Sequence, residues 1–229
     1  MFNICYFKFI ILLIYNIMST GIILTISNNT IISAEYSELI NDGIKTVIIP
    51  DNVTSIGNNV FSSLYDNLTN VNFGNSSVTS IGSNAFQNCI GLTNILLHMP
   101  LQNIGSYAFM GCNNLSFIII PESLTNIEEC AFQGCYNLEQ INFLNTKISS
   151  IPNKLFQGCS KLESLVLPST ITSISTNAFD DCINLKRIII PTPVVIDNVS
   201  IDILSEIKDE ILYKNNNSSE IIFNNIKII

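Results

Sequence analysis

Thiols are the reactive groups that this sequence repeats most regularly. Of its seven cysteines, five stand at 89, 112, 135, 159 and 182, so the same residue type returns about every 23 positions. A thiol becomes a nucleophile, a metal ligand or half of a disulfide only beside a suitable partner. No C-x-x-C pair occurs, and the single histidine, His98, cannot complete a zinc site of the usual kinds. Even spacing points to one place in a recurring unit, where a small buried thiol packs as a modest hydrophobe. The expectation is a ladder of free, inert thiols. Cys130 breaks the spacing and sits where Asn84, Tyr107 and Lys154 stand in other units. It is expected to face solvent and to be the one potentially reactive cysteine. The adjacent acids Glu128-Glu129 and Asp180-Asp181 diverge from their backbone and read as solvated charges rather than an acid/base pair. No G-x-S-x-G, Walker or Rossmann string occurs. The expectation is no enzyme, with no catalytic residue, no metal and no cofactor.

The unit that places those thiols is Ile81-Gly82-x-x-Ala85-Phe86-x-x-Cys89-x-x-Leu92-x-x-Ile95-x-Leu97. It returns through Ile104…Phe109…Cys112, Ile127…Phe132…Cys135, Ile151…Phe156…Cys159 and Ile174…Phe179…Cys182. A weaker first copy, Ile56-Gly57…Val60-Phe61, carries Leu64 or Tyr65 in place of the cysteine. Such a period lies within the 20–29 residues of leucine-rich repeats. The segment Leu92-x-x-Ile95-x-Leu97 alternates as a strand does, and Pro121, Pro168 and Pro191 end its counterparts. Val78-Thr79-Ser80-Ile81 exemplifies a second short strand. Phe86 and Cys89, three apart, suit one face of a single helical turn. Glycine at 57, 82 and 105 marks turns where a side chain would be awkward. Where Glu128 and Pro152 replace it, the turns are expected to differ. The fold class that follows is an α/β-type repeat solenoid with a parallel β-sheet, second short strands and short helical turns.

The 229 residues divide into residues 1–21, a secretory signal cleaved after Gly21 or an uncleaved anchor; 22–43, an N-terminal cap; 44–191, about six repeats; and 192–229, a C-terminal cap. The anchor reading rests on apolar character running from Phe9 to Ile26. Either reading places the repeats outside the cytosol, so the protein is expected to be secreted or at the cell surface. In the C-terminal part, Ile201 to Leu212 has the pattern of an amphipathic helix. A net charge of -8 argues against nucleic acid and against anionic membrane as partners. Membrane contact follows only if the N-terminal segment stays. Between Asn67 and Pro121 no Lys, Arg, Asp or Glu occurs, which suits a neutral protein or sugar partner.

In each strand the residues between the inward ones face out and align in columns. One column is Asn70, Asn94, Phe117, Gln140, Ser164 and Arg187; the next is Ile48, Asn72, Leu96, Ile119, Asn142, Val166 and Ile189. The second is largely apolar on a face expected to meet solvent, and such surface often marks an interaction site. The candidate binding residues are Ile48, Asn72, Leu96, Ile119, Asn142, Val166 and Ile189, with Phe117 and Arg187 beside them. Strand propensity alone also explains isoleucine there. Eight N-x-[S/T] sequons occur, four of them (Asn52, Asn67, Asn75, Asn114) in expected turns, so a secreted eukaryotic chain would offer glycan sites.

The string Ile-Gly-x-x-Ala-Phe-x-x-Cys-x-x-Leu-x-x-Ile-x-Ile-Pro resembles the BspA-like leucine-rich repeats of surface proteins from mucosal bacteria and protozoan parasites, over about residues 44 to 191. The resemblance implies a secreted or surface-displayed solenoid that binds proteins or cell surfaces, an adhesion-type role, and it transfers no catalytic residue. Two other roles fit the same sequence. One is a structural repeat protein that associates with its own copies. The other is an intracellular scaffold whose N-terminal apolar run packs in a cap.

Overall fold

The computed structural model describes residues 22–27, 30–36, 45–64, 67–97 and 100–189. Tyr65, His98, Pro191, the segment before Ile22 and the segment from Ile201 to Leu212 lie outside them, as do the sequons at Asn28, Asn198, Asn216 and Asn217.

The first described element is an antiparallel hairpin of β1 (Ile22–Ser27) and β2 (Thr30–Tyr36). Three-residue and two-residue strands then alternate. They are β3 (Thr46–Ile48), β4 (Ser55–Ile56), β5 (Asn70–Asn72), β6 (Ser80–Ile81), β7 (Asn94–Leu96) and β8 (Asn103–Ile104). They continue as β9 (Phe117–Ile119), β10 (Asn126–Ile127), β11 (Gln140–Asn142), β12 (Ser150–Ile151), β13 (Ser164–Val166), β14 (Ser173–Ile174) and β15 (Arg187–Ile189).

Each coil contributes one long and one short strand, and like pairs with like in parallel. The long strands form β3–β5 and β7–β9–β11–β13–β15. The short ones form β12–β14 and extend the hairpin as β2–β4–β6–β8–β10. Equivalent residues face each other across every step, Ile95 with Ile118 and Leu165 with Ile188. A shift of one residue would turn every inward side chain outward, so the alternating pattern sets this register.

The expected helical turns are not there. Among the described residues the only helical segments are short 3-10 turns at Ser62–Leu64 and Thr176–Phe179. The molecule is a β-solenoid, and the α/β label is corrected accordingly. The x-Ala-Phe-x-x-Cys segments are turns held by a third ladder between coils. Phe61, Phe86, Phe109 and Phe156 each donate their backbone N–H to the residue 85, 108, 131 or 178 carbonyl of the next coil at 2.8–2.9 Å. These turns pass twice through the left-handed region. The first column is Asn59, Asn84, Tyr107, Cys130 and Lys154 (φ 55–60°). The second is Asn88, Gly111, Gly134, Gly158 and Asp181 (φ 59–76°). A helix cannot run through a residue at positive φ, so each turn closes on itself and hands its hydrogen bonds to a neighbour.

Inside the stack the expected inward positions among the described residues are buried, except Ile120, which packs half-buried against the core. The phenylalanines from Phe61 to Phe179 stack almost parallel, with ring centroids 4.9–5.9 Å apart and 4–18° between planes. The coil spacing of roughly 4.7–4.9 Å imposes that contact. Leu64, fully buried, takes the cysteine place in the first copy.

The turns at Gly82 and Gly105 exclude side chains by crowding rather than by torsion. A Cβ on Gly82 would stand 2.7 Å from the Gly57 carbonyl carbon, and one on Gly105 would stand 2.8 Å from the Ser83 nitrogen. At Glu128 the turn keeps the same backbone bond. Its N–H donates to the Ile104 carbonyl at 3.0 Å, as Gly82 and Gly105 donate to Ile56 and Ile81 at 2.9 Å. Its carboxylate accepts from the Ser106 N–H at 2.9 Å and the Ser106 hydroxyl at 2.7 Å. Pro152 has no N–H and cannot make that backbone bond.

Candidate binding surface on the strand face

The thiol ladder is a donor ladder. Cys89, Cys112, Cys135, Cys159 and Cys182 donate their S–H to the carbonyls of Phe61, Phe86, Phe109, Phe132 and Phe156, one coil back, at 3.0–3.3 Å. All six described cysteines are free and buried. Burial pushes the Cys89 thiol up to about 12 and holds Cys112, Cys135 and Cys159 well above the ordinary thiol value. Such thiols stay protonated and unreactive near neutrality.

Cys130 corrects the expectation of an exposed, reactive thiol. It is only 3% exposed, and its side chain lies against the Tyr107 hydroxyl. Burial raises its pKa, with the Tyr107 hydroxyl acting in the opposite direction. Glu129 and Asp181 are exposed, and the Asp180 backbone carbonyl accepts from the Gly158 N–H. Among the described residues no cluster of His, Cys, Asp or Glu suits a metal.

The long strands carry the outward columns. Residues 94–96 of β7, 117–119 of β9 and 140–142 of β11 alternate exposed, buried, exposed, so the middle residue enters the core and its neighbours face out. Leu96 is 57% exposed, Ile48 54%, Phe117 50% and Ile119 46%. Asn72 and Asn142 are exposed as well, while Val166 is half-buried. Arg187 and Ile189 pair with Ser164 and Val166 in β15; their side chains lie outside what is described.

The two columns meet in a groove of about 440 Å³ spanning β9, β11 and β13. Phe117, Ile119, Asn142 and Val166 line it, with Gln140 and Ser164 from the neighbouring column. Ile48, Asn72 and Leu96 stand on earlier strands of the same face, outside the groove. Two of the polar members serve their own loops. The Asn142 carboxamide oxygen accepts from the Leu144 N–H at 2.8 Å, and that of Asn72 accepts from the Gly74 N–H at 2.8 Å. Such Asx turns close the end of the strand.

Sequence reasoning missed the rim on that side. Leu144 is exposed, and Asn145 donates to the Glu122 carboxylate at 2.9 Å. The signal was present, since Leu144 holds the column occupied elsewhere by Pro50, Pro121 and Pro168. An apolar residue at an exposed turn is a departure worth reading.

Comparison with known proteins agrees with this geometry. No curated protein matches the chain. Among solved structures, a leucine-rich repeat protein of T. pallidum is 25% identical over 74% of this chain and 68% of its own, with a TM-score of 0.51. A leucine-rich repeat protein from Bacteroides ovatus is 27% identical over 80% of this chain, with a TM-score of 0.59. A leucine rich cell surface protein from Faecalibacterium prausnitzii is 26% identical over 74% of it, with a TM-score of 0.53. The chain spans 43% and 52% of those last two proteins. The BspA type leucine rich repeat family model matches residues 30–147, 79–201 and 145–229, and with its thiol and phenylalanine ladders the chain belongs to that family.

Proposed function

We propose that this chain is a secreted or surface-displayed protein that binds a protein partner through the long-strand face, in an adhesion-type role and without catalysis. The observation that carries the reading is the exposed apolar series Ile48, Leu96, Phe117 and Ile119, which ends in the groove bounded by Val166 and Leu144. Leaving such side chains in water stabilises nothing in the isolated chain, and burying the exposed half of each against a partner is worth about 1 kcal/mol before association costs. The similarity to a protein described as a cell surface protein supports the surface assignment. On this reading residues 1–21 are a signal or anchor, and the segments 22–43 and 192–229 cap the repeats.

The test replaces Leu96, Ile119 and Val166 together with threonine, which keeps strand propensity and removes apolar surface. Wild type and variant are passed over immobilised extracellular-matrix and cell-surface proteins. The expected result is a partner held by the wild type and lost by the folded variant. A partner held equally by both removes the strand face from the mechanism. Concentration-dependent mass in the wild type, abolished in the variant, would instead assign the face to self-association. N-terminal sequencing of the native protein reads the leader directly, a start at Ile22 being the expected outcome.

A further inference from the structure

The turn face bears a second surface that the strand-face reading does not use. In three successive coils the backbone passes through Gly111, Gly134 and Gly158, at φ of 72°, 71° and 76°. Without side chains these residues form the floor of a trough of about 610 Å³. Gln133 and Gln157 stand along one side, their amides joined Nε2 to Oε1 at 2.7 Å. Asn113 and Tyr136 stand along the other. The Asn113 amide nitrogen, oriented to satisfy its neighbours, donates to the Gly111 and Gly134 carbonyls at 3.0 Å each. Its oxygen is then the atom left to accept from a ligand. The Tyr136 ring is half exposed and lies over the floor, its Cε1 3.6 Å from where a methyl on Gly158 would sit.

This lining has a definite chemical preference. Planar amides offer a donor and an acceptor side by side, which suits neighbouring hydroxyls. An exposed aromatic ring offers a flat apolar face, which suits the C–H side of a pyranose. The one charged residue of the lining is Asp181, so a strongly charged ligand finds little to neutralise it. An apolar peptide would bury the amides without partners, at a cost in binding.

We infer that the turn-face trough binds a neutral oligosaccharide, with Tyr136 as its stacking platform and Gln133, Gln157 and Asn113 as its hydroxyl partners. The site is separate from the strand face, so each can fail without the other.

The experiment titrates the full chain with cellohexaose, maltohexaose and chitohexaose, and with a proline-rich decapeptide as the competing class, following side-chain amide signals by NMR. At least one sugar is expected to bind saturably at millimolar concentration and to move the Gln133 and Gln157 amide signals. Tyr136→Ala is expected to weaken it by about ten-fold. Gly134→Asn is expected to abolish binding while the protein stays folded. Asn88 already holds the equivalent backbone at φ 59°, and a Cβ at Gly134 meets nothing closer than 3.7 Å. The strand-face triple variant is expected to bind sugar as the wild type does. Three results overturn the proposal: no saturable sugar binding, binding unchanged in both trough variants, or shifts with the peptide alone.

Discussion

On the strand face, the outward residues of the middle coils include Leu96, Phe117 and Ile119 beside Asn94, Gln140 and Asn142. On the turn face of the same part of the molecule glycines and amides run beside Met110 and Tyr136. Both faces rest on one core of stacked Phe, Cys, Ile and Leu, and both repeat at the coil spacing. The difference comes from backbone geometry. A strand alternates its side chains, so every coil must place two residues outward, and their types are free of the core's demands. A left-handed turn favours glycine, asparagine and aspartate, and the column before each cysteine is Asn, Gly, Gly, Gly and Asp, although the first left-handed column also holds Tyr107, Cys130 and Lys154. The strand face can be re-dressed residue by residue, while the turn face is tied to the fold. A repeat protein can thus change partners on one surface and keep the other.

The largest expected effect removes what the two faces share. Phe109→Ala should destabilise the protein by about 3–5 kcal/mol, because rings on either side hold the coils apart and the gap cannot collapse. Denaturant unfolding checks this, and an unchanged midpoint would mean the ladder is not the core.

Alkaline pH should act on the same core through the thiols. The folded pKa of Cys89 is about 12 against 9.0 when unfolded. Between those values the unfolded state has lost protons that the folded state keeps, so stability falls as pH rises. It should hold constant from neutrality to about pH 9 and decline steadily above it. Thermal melts at constant ionic strength read this directly, and a flat profile to pH 11 would contradict it.

The contrast between the faces sharpens with Gly158→Ala. At φ 76° the added Cβ should cost about 1–2 kcal/mol, and Gly158→Asn should cost less. A substitution of one exposed strand-face residue, such as Ile48→Thr, should stay within about 0.5 kcal/mol. Equal costs at both places would remove the proposed difference in constraint. The smallest effect belongs to Lys186→Ala. Its ion pair with Glu163 spans 3.9 Å with both side chains well exposed, and its loss should change stability by less than about 0.5 kcal/mol.

The strand face was legible in the sequence because alternation reports burial directly, as the exposed, buried, exposed patterns of β7, β9 and β11 demonstrate. The turn was less legible. A spacing of three between Phe86 and Cys89 fits a helical turn and also fits a closed turn with left-handed residues. The asparagine, glycines and aspartate before the cysteines carried the distinction. Cys130 was misjudged for a related reason. Its column holds polar residues elsewhere, but this small thiol lies against Tyr107 of the preceding coil and is buried, a contact that no local pattern contains. The groove itself depends on Leu144 and Val166 from different coils, a juxtaposition that register creates and no local pattern contains.

The most direct test of the account is hydroxyl-radical footprinting of the chain bound to a captured protein partner. Protection is predicted at Leu96, Phe117, Ile119 and Leu144, with Tyr136 and Met110, which both line the turn-face trough, still labelled. Protection of Tyr136 and Met110, with the strand residues left open, would contradict the assignment of the protein-binding surface.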